Sequence, residues 1–389
     1  RRGWYVGGNV ALSVGATFAL LMWGQQWALP VLAGVALLVL LSLVTGSGLL
    51  EQRRWADALD AALAVPVPPG EPTGWTPEQR HLVLDARLHE AFCRHRLGQV
   101  QRSSAILQDL SPAYVEIQHL QHYVQVLIEA ATIEAEQGRA EVAGELFQHV
   151  RQLLDDRPDE GLALAQALAA EADWRMRTGQ AEAAEDLLAQ AIALQEAGDH
   201  RRFEGFDTRA ENLWRLGQAQ LAQGKAAAAS EPLAHLQDLG ERDPRARAYA
   251  ARLQAALQVF EGAIPSAILT LRESLDLLDR DIYPELKVDL CLDLHRLLLS
   301  NGFVREAAEA LERVLPAAAA ARDPVQVGRI QLARARALEQ AGDLAAARAI
   351  YGEIMDRSPE EQDRGDAWFA SVLALALLDA EDGEPLPPD

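Results

Sequence analysis

The stretch that decides the fold is Gly138-Arg139-Ala140-Glu141-Val142-Ala143-Gly144-Glu145-Leu146-Phe147. A glycine is followed two positions on by an apolar residue, five on by a small one and nine on by a large apolar one. The same arrangement recurs at Gly98, Gly179, Gly224, Gly262, Gly302 and Gly342, at intervals of 38 to 45 residues. The fifth position after each glycine is Ser103, Ala143, Ala184, Ala229, Ala267, Ala307 or Ala347. The ninth is Leu107, Phe147, Leu188, Leu233, Leu271, Leu311 or Tyr351. Seven before the glycine stand Ala91, Ala131, Ala172, Gly217, Ala255, His295 and Ala335.

This period predicts stacked helix–turn–helix units. The glycine ends helix A at a position needing positive φ. The small residues let helices A and B approach, and the large residue fills the gap to the next unit. Prolines in Asp156-Arg157-Pro158, Arg242-Asp243-Pro244, Tyr283-Pro284, Arg322-Asp323-Pro324 and Ser358-Pro359 mark the starts of new A helices. Such units bury their faces only by stacking.

The glycine turn, the small residue and the bulky residue together resemble the tetratricopeptide repeat (TPR) pattern over about Leu84 to Ser358. The resemblance implies an all-α solenoid of about seven helix pairs across 78–362. A period near 40 exceeds the family's ~34 and also fits HEAT-type arrays. Most of the aromatic residues expected early in helix A are missing.

Around this array, 363–380 reads as a capping helix and 381–389 as a disordered acidic tail. Residues 56–77 read as a short helix and a Pro-rich linker, ending where Thr76 caps a helix beginning at Pro77.

The N-terminus is read separately. From Gly3 to Leu50 there is no Asp, Glu, Lys, Arg or His. A single helix that long would reach about 72 Å, against a hydrocarbon core of ~30 Å. A break at Gly24-Gln25-Gln26 therefore predicts a transmembrane helical hairpin over 1–55, in contact with lipid through residues 3–50. Arg1, Arg2, Arg53 and Arg54 flank it, which predicts both ends inside. Trp4, Tyr5, Trp23, Trp27 and Trp55 are expected at the membrane interfaces. The expected localisation is the bacterial cytoplasmic membrane, double-pass, with the repeats in the cytoplasm.

Composition narrows the function. Lys and Arg number 36 against 57 acidic residues, a net charge of −21. Such a field repels phosphate backbones, so no nucleic-acid partner is expected. There is no phosphate loop, dinucleotide fingerprint or GxSxG elbow. Cys93 and Cys291 read as buried free thiols. His119 and His122, three apart on a helix, could share a metal. Nine histidines make such a pair common by chance, and no carboxylate or Cys completes a zinc pattern. No catalytic residue, cofactor or metal is expected, and the chain is not expected to be an enzyme.

The TPR resemblance implies a binding groove lined by helix A positions. On this chain those positions hold Asp173, Glu211, Trp214, Gln218, Tyr249, Arg252, Arg296, Arg329 and Arg336. Four arginines there could hold a carboxylate or an acidic peptide. They could equally pair with acidic neighbours, and Trp214 and Tyr249 could belong to the core. The expected function is a membrane-anchored scaffold or adaptor that binds a protein or peptide partner. The alternatives are a subunit of a larger membrane complex and a regulatory module of an enzyme.

Overall fold

A computed structural model describes residues 55–65, 67, 75–155, 157–197, 208–278, 283–357 and 366–381. Among them are sixteen α-helices and no strand. A short helix, α1 (Trp55–Leu63), comes first. Seven pairs then follow, each an A helix and a B helix. They are α2 (Pro77–Arg96) with α3 (Val100–Glu116), α4 (Leu120–Glu136) with α5 (Ala140–Leu154), and α6 (Gly161–Arg177) with α7 (Ala181–Ala197). Next come α8 (Arg209–Ala222) with α9 (Ala226–Gly240), and α10 (Pro244–Phe260) with α11 (Ile264–Leu277). The last pairs are α12 (Pro284–Ser300) with α13 (Val304–Ala320), and α14 (Pro324–Gln340) with α15 (Leu344–Arg357). A final helix, α16 (Asp366–Glu381), packs on α14 and α15.

The A–B turn is the same in every unit. All seven repeat glycines have φ between +75° and +82°. In the second unit the Gly138 N–H donates to Ala135 O and the Arg139 N–H to Glu134 O. This is the Schellman pattern, which satisfies carbonyls the helix end would otherwise orphan. The long period comes from the helices: in the sixth unit two 17-residue helices alternate with three-residue turns.

The spaced small residues are the seams. Ser103, Ala143, Ala184, Ala229, Ala267, Ala307 and Ala347 are all fully buried. Ser103 is polar, and its hydroxyl donates 2.8 Å to Ala91 O across the seam. Phe147, Leu188, Leu311 and Tyr351 fill the space between units at no more than 1% exposure. Each such burial contributes on the order of 2 kcal/mol. Thr76 and Gln79 form a reciprocal capping box at the start of α2, and Asp243 and Asp323 cap α10 and α14.

The array curves until its ends meet. Trp55 Nε1 donates to Glu285 Oε2 at 3.3 Å, and Arg322 donates to Asp57 and Asp60 at 2.9 and 2.7 Å. A methyl group at Gly98 would come within 3.2 Å of Val325 Cγ2. These meeting points sit in α1, in A helices or in turns beside them. The A layer therefore lines the inside of the curve.

Two expectations are corrected here. The double-pass membrane localisation is not met: among the described residues no helix is long and apolar enough to cross a membrane. The longest, α2, carries Glu78, Arg80, Asp85, Arg87, Glu90, Arg94 and Arg96 within 20 residues. The hairpin, its lipid contacts and the interface positions of Trp4, Tyr5, Trp23 and Trp27 lie outside the described residues, as do 66, 68–74 and 382–389. Trp55 is the second correction. It is no interface residue: only 7% exposed, it packs with Ala58, Cys93 and Leu97 at the head of the array.

Candidate functional site: a recess on the A-helix face

Four consecutive A helices, α6, α8, α10 and α12, with Leu188 of α7 and Leu271 of α11, build a recess of about 870 Å³. Asp173, Trp214, Gln218, Arg252 and Arg296 line it, so five residues expected from the sequence share one cavity. Arg215, Met176, Val259, Phe260, Asp293 and Leu297 line it too and were not anticipated. Val259 and Phe260 stand 41% and 54% exposed at its edge.

The floor is an aromatic and arginine stack. Tyr249 is buried and lies 5.6 Å from the Trp214 ring, so it belongs to the core beneath the site. The Arg252 guanidinium sits 4.1 Å over the Trp214 ring, a cation–π contact largely shielded from water. Trp214 Nε1 is buried and has no hydrogen-bond partner. An orphaned buried donor costs about 1–3 kcal/mol.

The arginines do not stand free. Arg252 Nε donates to Asp293 at 2.6 Å and its Nη1 to Asp289 at 3.4 Å. Burial works against the Arg252 charge, but Asp293 and Asp289 outweigh it and hold its pKa above the ordinary value. Arg296 pairs with Asp293, and Arg329 reaches Asp289 at 2.9 Å. Asp289 and Asp293, four apart on α12, thus gather three of the four expected arginines. Arg329 does not line the recess, and neither does the exposed Arg336. Glu211 pairs with Arg215 at 2.7 Å, and Asp173 pairs with Arg177 at 2.7 Å. The signal for the two missed aspartates was their spacing: Asp293 lies 41 residues beyond Arg252 and Asp289 lies 40 before Arg329, one repeat in each case.

No protein-family model matches the chain, and no curated protein does. Solved structures do. A Rap protein complexed with Competence and Sporulation Factor is similar at 14% identity over 89% of this chain and 99% of its own, with a TM-score of 0.50. A tetratricopeptide repeat protein from Parabacteroides merdae is similar at 12% identity over 74% of this chain and 98% of its own, TM-score 0.43. Aspartyl phosphate phosphatase F from Bacillus subtilis is similar at 11% identity over 74% of each chain, TM-score 0.43. By fold this chain is a TPR-like α-solenoid. At these identities the likeness is one of fold alone.

Proposed function

We propose that this chain is a TPR-like scaffold that binds a protein or peptide partner in the recess around Trp214. The observation that carries the reading is a recess lined by Trp214 and edged by exposed Phe260 and Val259. An apolar side chain of a partner would cover Phe260 and Val259. The lining charges nearly balance, with Arg215, Arg252 and Arg296 against Asp173 and Asp293. A partner chosen by an apolar anchor fits better than one chosen by net negative charge. The similar Rap structure is itself a complex with a factor, which accords with a binding role. No residue of the recess forms a nucleophile–base pair, and the reading assigns no catalysis.

The test is selection of peptides from a displayed library against the full chain, followed by affinity measurement. Trp214→Ala should weaken the selected peptide at least tenfold, and Phe260→Ala several-fold. Phe303→Ala, at an exposed A–B turn outside the recess, should leave affinity unchanged. Equal affinity for wild type and Trp214→Ala would refute the assignment.

A further inference from the structure

A second cluster lies at the other end of the array. His81 near the start of α2, His119 at the N-cap of α4 and His122 in its first turn come together, and their potential ligand atoms all lie within 4.8 Å of one another. The ring centroids of His119 and His122 are 4.2 Å apart, those of His81 and His119 4.6 Å. We propose that His81, His119 and His122 form a binding site for a divalent late transition-metal ion, with zinc as the reference ion and Asp85 as fourth ligand or bridge.

Four observations support this. First, the backbone places the rings deliberately. Gln118 ends α3 with φ +56°, a left-handed conformation uncommon for a residue with a side chain. That turn sets His119 so that its Nδ1 accepts from the His122 N–H at 3.4 Å. Its Nε2 is left for a ligand. Second, His122 Nδ1 is buried 3.0 Å from Asp85 Oδ1, so the carboxylate holds this ring beside the other two imidazoles. Third, the carboxylate is held in place. Tyr114 Oη donates to Asp85 Oδ1 at 3.2 Å, and Asp85 Oδ2 lies 3.5 Å from His81 Nε2. A ligand ring oriented by a carboxylate is the usual outer support of a metal site. Fourth, a cleft lined by Trp75, Pro77, His81, Asp85, Ile117 and His119 opens on the cluster, so an ion can reach it from solvent.

Tetrahedral bonds of about 2.1 Å put ligand atoms roughly 3.4 Å apart, so closure needs side-chain rotations of about an ångström. Three histidines with a carboxylate or water suit zinc, and also cobalt, nickel or copper, over calcium or magnesium. A bound ion would tie α2 to α4 and so pin the first repeat to the second.

The experiment uses the full chain without a polyhistidine tag. Zinc binding is measured by calorimetry, and cobalt is used to read ligand geometry from its visible spectrum. The expected result is one ion per chain, with affinity at least tenfold lower in His81→Ala and in His119→Asn. Asn preserves the N-cap, so that variant should fold normally. His149→Ala and His235→Ala, both at exposed positions, should bind like wild type. No saturable binding by wild type, or unchanged affinity in both cluster variants, would overturn the proposal.

Discussion

Trp55 Nε1 donates to Glu285 Oε2 across 3.3 Å, although 230 residues separate the two. In a linear repeat array, units touch only their neighbours. Here the first described helix touches the sixth and seventh units. The contact is reinforced by Arg322 with Asp57 and Asp60, and by Val325 against Gly98. The inner face of the A helices is therefore held at a fixed curvature, and the recess around Trp214 with it.

Trp55→Ala should lower unfolding free energy by about 3–5 kcal/mol, as removal of a buried tryptophan does. The more telling readout is hydrogen exchange. Amides at the start of α12, far away in sequence, should lose protection together with those of α1. If only α1 and α2 respond, the ends do not support each other.

Two glycines separate two kinds of strain. Gly138 has φ +77° and open space around its α-carbon. Gly138→Ala should cost about 1 kcal/mol from backbone conformation alone. Gly217 lies inside α8, where a Cβ would meet Leu253 Cδ1 and Cδ2 at 2.5 Å. Gly217→Ala should cost about 1–3 kcal/mol by overpacking. Combined with Leu253→Ala, the two costs should sum to less than their separate values, because the shorter side chain leaves room for the new methyl, whereas Gly138→Ala should add independently to any core change. Denaturant midpoints check both.

His95 joins the first two A helices. Its ring nitrogens lie 2.5 Å from Glu129 and 2.7 Å from Glu136. Burial opposes the charge, but Glu129 and Glu136 push His95 up to about 9 and Glu136 is held down to about 2. An unfolded histidine titrates near 6.5, so the folded state binds the extra proton between those values. The stability from this contact is full below pH ~6.5 and is lost as pH rises through about 9, on the order of 3 kcal/mol. Urea midpoints should fall between pH 6.5 and 9.5 in wild type and stay nearly flat in His95→Gln.

Asp323 acts in the opposite sense. It caps α14 but is only 5% exposed, and burial together with the nearby Glu285 raises it to about 6. Its folded pKa lies above the unfolded ~3.9, so it lowers stability as pH rises from about 4 to 6. Asp323→Asn keeps the cap and removes the charge. It should stabilise the protein by up to about 3 kcal/mol at pH 7, and the gain should vanish near pH 4. A midpoint at pH 7 below wild type would contradict this.

The local periodic features were legible in the sequence. Gly98 to Gly342 announced their positive φ because few other residues tolerate it, and Ala143 or Ala307 announced the seam because close helix contact excludes larger side chains. Features that depend on chain curvature were not. Trp55 sits next to an apolar run and reads as an interface anchor, yet its partners are Cys93, Leu97 and Glu285. For the arginines of α10, α12 and α14 the sequence left both a cationic groove and pairing with acidic neighbours open, and the structure shows Arg252, Arg296 and Arg329 paired with Asp289 and Asp293. His119 and His122 looked like a chance pair because the third ring, His81, comes from the preceding A helix, 41 residues before His122. Pairings across one repeat are visible only once the sequence is folded onto its own period.

The most direct measurement is a hydrogen-exchange footprint of the full chain with and without a selected peptide. New protection is expected on the A helices α6, α8, α10 and α12 around Trp214, with the B helix α9, which does not line the recess, unchanged. Protection confined to B helices, or to units distant from Trp214, would contradict it.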